Sequence, residues 1–198
     1  MTHRSRVLPL PLLLLLLLLL SACSPVGSTD DFAYAAAPFT ATVRGTYTPK
    51  DGIPRPITAK ITAGAPVAGE DPAIRPVTVT FTEPPSLSGV TVTAAYETDT
   101  DGMASRIVTF SYPSAYGEVK TSVQAGELDG FLRFAEALLP IGDVTSVTPA
   151  AEDGTHTVTR ITEDGTREAV FLFSPEQALP LRVTVKEGAE AIEFTVTP

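Results

Sequence analysis

Val77-Thr78-Val79-Thr80-Phe81-Thr82, followed after a short break by Val90-Thr91-Val92-Thr93-Ala94-Ala95-Tyr96, alternates apolar and hydroxyl side chains with a period of two. In an extended chain residues i and i+2 share a face, so this pattern predicts strands buried on one side and wet on the other, as in an antiparallel sheet. The same alternation sets Phe39, Ala41, Val43 and Tyr47 against Thr40, Thr42, Arg44 and Thr46, and Ile57, Ala59 and Ile61 against Thr58, Lys60 and Thr62. A fifth strand is expected near Arg106 to Tyr112, and four more near 155–161, 167–173, 181–186 and 191–196. Asp-Gly recurs at 51–52, 101–102, 153–154 and 164–165, where it supplies the positive φ of tight turns, so consecutive strands are expected to pair. Glu-Asp-Gly-Thr at 152–155 and 163–166 reads as two successive turns, and Thr62 to Pro76 as a long loop.

One segment has a different period. Leu128, Phe131, Leu132, Ala135, Leu138 and Leu139 fall on one side of a 3.6-residue helix, Glu127 and Asp129 favour its start, and Pro140 with Gly142 stops it. The fold class expected is α+β: a strongly curved antiparallel sheet, an open half-barrel of about nine strands, with this amphipathic helix on its apolar side.

Upstream of the strands, His3, Arg4 and Arg6 precede nine consecutive leucines, Leu12 to Leu20, and then Ser21-Ala22-Cys23. A basic head, an apolar stretch and small residues in that order form an export signal, and the stretch from Val7 is short and carries two prolines, unlike a membrane span. Leu-Ser-Ala-Cys resembles the lipobox of bacterial lipoproteins, which implies a diacylglyceryl group on Cys23 and removal of residues 1–22. The alternative is an ordinary secretory signal ending at Ala22-Cys23. Residues 23–38, small and polar with little period, read as a flexible tether, and 39–198 as a single domain. The expected location is the extracytoplasmic face of a membrane. If the producer has an outer membrane, Ser24 resembles residues that permit sorting to it.

Cys23 is the only cysteine of 198 residues, so the domain holds no disulfide and no thiolate metal site. Removing residues 1–22 leaves 12 basic against 23 acidic side chains, a formal charge of −11, which repels nucleic acid and anionic head groups. Attachment to a membrane then falls to the acyl chains. Without tryptophan, and with few aromatics, a stacking platform for bases or sugars is disfavoured.

Phe81-Thr82-Glu83-Pro84-Pro85-Ser86-Leu87-Ser88-Gly89-Val90, the mid-chain helix, and the closing stretch Phe173-Ser174-Pro175-Glu176 to Leu179-Pro180-Leu181-Arg182-Val183 together resemble the LolA-like lipoprotein carriers and their mycobacterial LppX and LprG relatives. The resemblance spans about residues 39 to 198 and implies an open β-barrel with helices at its mouth, binding acyl chains between them. It departs from the family at the N-terminus. There the carriers have an amphipathic helix, whereas only Asp31 to Ala37, barely two turns, is available here.

Catalytic candidates are few, no cofactor is called for, and no enzyme is expected. His156 is the sole histidine after the signal, sits beside a turn in Gly154-Thr155-His156-Thr157, and reads as an exposed strand residue; no Gly-x-Ser-x-Gly accompanies it. Glu97-Thr98-Asp99-Thr100-Asp101-Gly102 resembles the first half of a calcium loop, but the twelfth position falls on Val108 where a carboxylate is needed, so a plain hairpin turn is the simpler reading. The stripe Leu128, Phe131, Leu132, Ala135, Leu138 and Leu139, with Phe134 at its edge, either fills a solid core or lines an acyl-binding cavity. Periodicity by itself favours the core, and the resemblance adds the cavity. Two functions follow: a lipid-anchored protein holding an acyl chain or other apolar ligand, or a structural lipoprotein that meets a protein partner of the envelope.

Overall fold

The computed structural model describes residues 29–67, 74–98, 104–124 and 129–198. Eleven strands, β1 (Phe39–Thr48), β2 (Arg55–Ala63), β3 (Val77–Glu83), β4 (Thr91–Thr98), β5 (Ala104–Ser114), β6 (Gly117–Gln124), β7 (Asp143–Val147), β8 (His156–Ile161), β9 (Arg167–Ser174), β10 (Gln177–Glu187) and β11 (Glu190–Thr197), form one antiparallel sheet. Its order is β6-β5-β4-β3-β2-β1-β11-β10-β9-β8-β7, so the sheet is open, with β6 and β7 at its edges. Two meanders are joined where the first strand pairs with the last, Thr42 opposite Thr197 through Thr48 opposite Ala191. At that seam Gly45 faces Phe194, and a Cβ on Gly45 would lie 2.5 Å from the Phe194 Cα, so only glycine allows β1 this close to β11.

The alternating strands behave as their pattern demands. Ala41, Val43, Ala59, Ile61, Val79, Phe81, Val92 and Val108 are buried on one face. Threonines on the other face bond across strands, Thr78 to Thr93 and Thr80 to Thr91 both at 3.2 Å.

The count of about nine strands is corrected to eleven. The two additions, β6 and β7, are the edges, where residues 117–122 and most of β7 expose both faces and leave no period-2 signal. A second correction moves the domain's start. Residues 29–38, assigned above to the tether, contain a 3₁₀ segment, Thr29–Ala36, kinked at Phe32, with Tyr34 and Ala35 buried in the core.

Three of the four Asp-Gly pairs lie in described turns, with Gly52, Gly154 and Gly165 at positive φ; the fourth, at 101–102, lies outside the described residues. Asp164 accepts from Thr162 Oγ1 at 2.6 Å, from the Thr166 N–H at 3.0 Å and from Thr166 Oγ1 at 2.8 Å. These bonds, the Thr162 hydroxyl foremost, lower its pKa from 3.8 to about 2. Asp153 is lowered in the same way, by the N–H and then the hydroxyl of Thr155. Both carboxylates bind a proton more readily in the unfolded chain. Their contribution is therefore complete above the ordinary carboxylate pKa and lost as pH falls through the lowered values. The urea midpoint is expected to drop between about pH 4 and pH 2, and Asp153→Asn with Asp164→Asn to flatten that drop when both chains are titrated side by side. An unchanged acid limb in the double variant would show that the turns carry none of it.

Candidate functional site

The connection from edge β6 to edge β7 crosses the apolar face as a helix, α1 (Asp129–Glu136). It is shorter than its apolar stripe. Ala137 to Leu139 continue as turns, with Leu138 N–H donating to the Ala135 carbonyl and Leu139 N–H to that of Glu136. Gly142 follows at φ 60°, where a Cβ would sit 2.5 Å from the carbonyl carbon of Ile161.

Phe131, Leu132, Ala135, Leu138 and Leu139 do converge on the concave face, and Phe134 joins them as a core residue. Leu138 is fully buried. Phe81 of β3 lies 5.8 Å from the rings of both Phe131 and Phe134, Phe110 of β5 lies 5.8 Å from Phe131, and Tyr47 of β1 lies 5.9 Å from Phe134, all edge-on. Arg106 of β5 donates to Glu136 at 3.0 Å, and Arg133 pairs with Glu190 of β11. Strands β5 and β11 are five apart in the sheet, about 24 Å if it were flat. A two-turn helix bridges them because the sheet curls. Leu128 and Cys23 lie outside the described residues.

The other cover is the 3₁₀ segment. Phe32 packs edge-on against Phe171 and Phe173 at 5.0 and 5.2 Å, and the Arg160 guanidinium stands 4.9 Å over the Phe32 ring. Tyr34 donates its hydroxyl to the Leu138 carbonyl at 2.5 Å, tying the segment to the end of α1, and burial raises its pKa. Arg75, 1% exposed, donates to the carbonyls of Ala35, Ala37 and Gly64 and lies over Phe39. His156 is not the exposed strand residue expected. Its Nε2 lies 3.1 Å from Asp31 Oδ1, its ring stacks on Phe173, and only about 17% of the side chain is exposed, because the segment folds over it. Neither Arg75 nor the Asp31–His156 pair has a signal in the sequence, since Arg75 reaches carbonyls 38 and 40 positions upstream and His156 a carboxylate 125 positions upstream.

One gap between sheet and α1, bordered by Arg75, Val77, Ala94, Tyr96, Leu132 and Leu139, holds about 20 Å³, room for one water molecule. Pockets for drug-sized ligands run to about 300 Å³ or more. Of the calcium-like stretch, residues 99–101 and Gly102 lie outside the described residues; Glu97 stands opposite Ser105 in the antiparallel β4–β5 register, and Val108 is core. Among the described residues no three His, Cys, Asp or Glu side chains gather as metal ligands, and no helix is long and apolar enough to cross a membrane.

No family model matches the chain, and no relative is found among curated proteins. The chain is similar in structure to a DUF1329 family protein from Desulfovibrio piger, at 10% identity over 85% of this chain and 92% of that one, with a TM-score of 0.43. It is also similar to the LolA superfamily protein NE2245 from Nitrosomonas europaea, at 11% identity over 85% of this chain and 88% of that one, with a TM-score of 0.42.

Proposed function

We propose that this chain is a lipid-anchored, extracytoplasmic binding protein that takes an acyl chain or another apolar ligand between the concave face and α1. The observation that supports this reading is the cover itself. An open eleven-stranded sheet has its apolar face covered, among the described residues, mainly by one eight-residue helix and the 3₁₀ segment 29–36, with Leu87 of a short 3₁₀ turn, Pro85–Leu87, packed against the core as well. Displacing α1 would uncover Tyr47, Phe81 and Phe110, an aromatic surface that an acyl chain can cover in its place at about 0.8 kcal/mol per buried methylene. Arg106–Glu136 and Arg133–Glu190, part-exposed ion pairs at the rim, would hold the helix shut until then. Cys23 supplies the anchor, and no catalysis is assigned. A second reading, a structural envelope lipoprotein with a solid core that meets a protein partner, is favoured by the small size, about 20 Å³, of the gap beside Leu132 and Leu139.

The deciding experiment purifies the whole chain from membranes, extracts it with organic solvent, and weighs the native protein before and after. Covalent acyl groups stay with the protein, so the extract reports only held lipid. The binding reading expects one acyl lipid per chain and displacement by a fluorescent fatty acid. An empty protein that leaves the probe in water assigns the second reading.

A further inference from the structure

The two edges of the sheet, unpaired among the described residues, differ. β7 has five residues and a bulge between Val144 and Ser146, features that blunt an edge against further pairing. β6 has eight residues and pairs with β5 without interruption, Ile107 opposite Gln124 through Ser114 opposite Gly117. Three of the five large apolar side chains exposed among the described residues lie there, against one, Val144, on β7: Tyr112 and Val119 are each 40% exposed and stand opposite one another in register, and Tyr116 at the β5–β6 turn is fully exposed. Tyr112 and Val119 share the face of Val108 and Phe110, and Tyr112 leans on Phe110, which touches Phe131 of α1. The patch is thus the uncovered continuation of the core. The opposite face of β6 carries Glu118 and Lys120, paired at 2.9 Å within the strand.

We propose that β6 pairs antiparallel with β6 of a second copy of this chain about a two-fold axis at Val119, making one continuous sheet across two molecules. Backbone chemistry limits the register. In an antiparallel ladder both members of a pair turn their N–H and C=O groups the same way, toward or away from the partner, so only like-parity residues can face each other and the two position numbers must sum to an even number. Charge selects among those registers. Centring on Glu118 opposes two carboxylates, and centring on Lys120 opposes two ammonium groups. Centring on Val119 sets each Glu118 against the partner's Lys120. That register also joins the Tyr112–Val119 patches of both copies on the concave side, where the described residues leave both part-exposed.

Val119→Cys in the whole chain tests the register directly, because Cys23 is the sole natural cysteine. Opposed residues at the axis have Cα atoms about 4.5–5.5 Å apart, within disulfide reach. Two copies of residue 121 would be about 14 Å apart along the strands, beyond it. Mild oxidation in membranes is expected to convert more than half of the Val119→Cys chain to a disulfide dimer. Thr121→Cys and the parent chain are expected to stay at background. Glu118→Lys in the Val119→Cys background is expected to lower the yield several-fold, and adding Lys120→Glu to restore it. Equal cross-linking at 119 and 121 would overturn the proposal, since it would mean random collision. So would the absence of a dimer while the thiol introduced at position 119 stays open to a water-soluble maleimide. A thiol protected there without dimer would overturn it too, as the outcome of a membrane or a different protein covering the patch.

Discussion

Arg75→Met is expected to release residues 29–37 from the sheet and to cost about 4 kcal/mol, since removing a buried donor strands acceptors at about 1–3 kcal/mol each. The guanidinium donates to Ala35, Ala37 and Gly64 and covers the Phe39 ring, so a single side chain gathers the end of the 3₁₀ segment and the end of β2. Methionine fills much of the volume but donates nothing. The cost has a ceiling, because the carbonyls of Ala35 and Ala37 regain water once the segment lifts off, and the loss cannot exceed the free energy of that detachment. Hydrogen exchange should therefore show residues 29–37 losing protection well before β1, and the urea midpoint should fall. Arg75→Lys keeps the charge without the planar fork and should recover only part of both. Unchanged protection of 29–37 in the methionine variant would mean that the aromatic contacts of Phe32 and Tyr34 hold the segment by themselves.

Phe81→Ala carries the second large effect, a loss of about 4 kcal/mol, in the range for deleting a fully buried ring. Phe81 lies beneath both Phe131 and Phe134, so its removal empties the space between β3 and α1 without touching the ion pairs at the rim. In a filled interior the hole stays dry, and benzene should bind there and return part of the lost stability. A loss below about 1 kcal/mol would mean that the ring borders open space, because truncation beside an existing cavity removes few contacts. That outcome would favour the ligand-holding state over the solid core, and urea titration with and without benzene distinguishes the two.

The apolar stripe of the helix was legible and the helix's length was not. Leu138 and Leu139 lie on the buried side as their spacing requires, but the chain leaves α-geometry after Glu136 because Pro140 and the tight approach of Gly142 to Ile161 draw it into turns. His156 shows the limit more sharply. Its local pattern places it at the start of a wet strand, and it is covered only because Phe32 folds Asp31 over it from 125 positions upstream.

Sequence alone determined the nine strands whose two faces differ, the Asp-Gly turns at 51–52, 153–154 and 164–165, and the apolar stripe. Each of these leaves a local trace, because one-sided burial imposes a period and a positive φ demands glycine. Tertiary structure alone decided the two edge strands, the β1–β11 seam, the docking of residues 29–37 and the packing of α1 on Phe81 and Phe110. An edge strand is held by backbone bonds to one neighbour and exposes both faces, so its side chains need no pattern. A seam or a packed helix depends on which distant residues meet, and that is set when the sheet curls and not before.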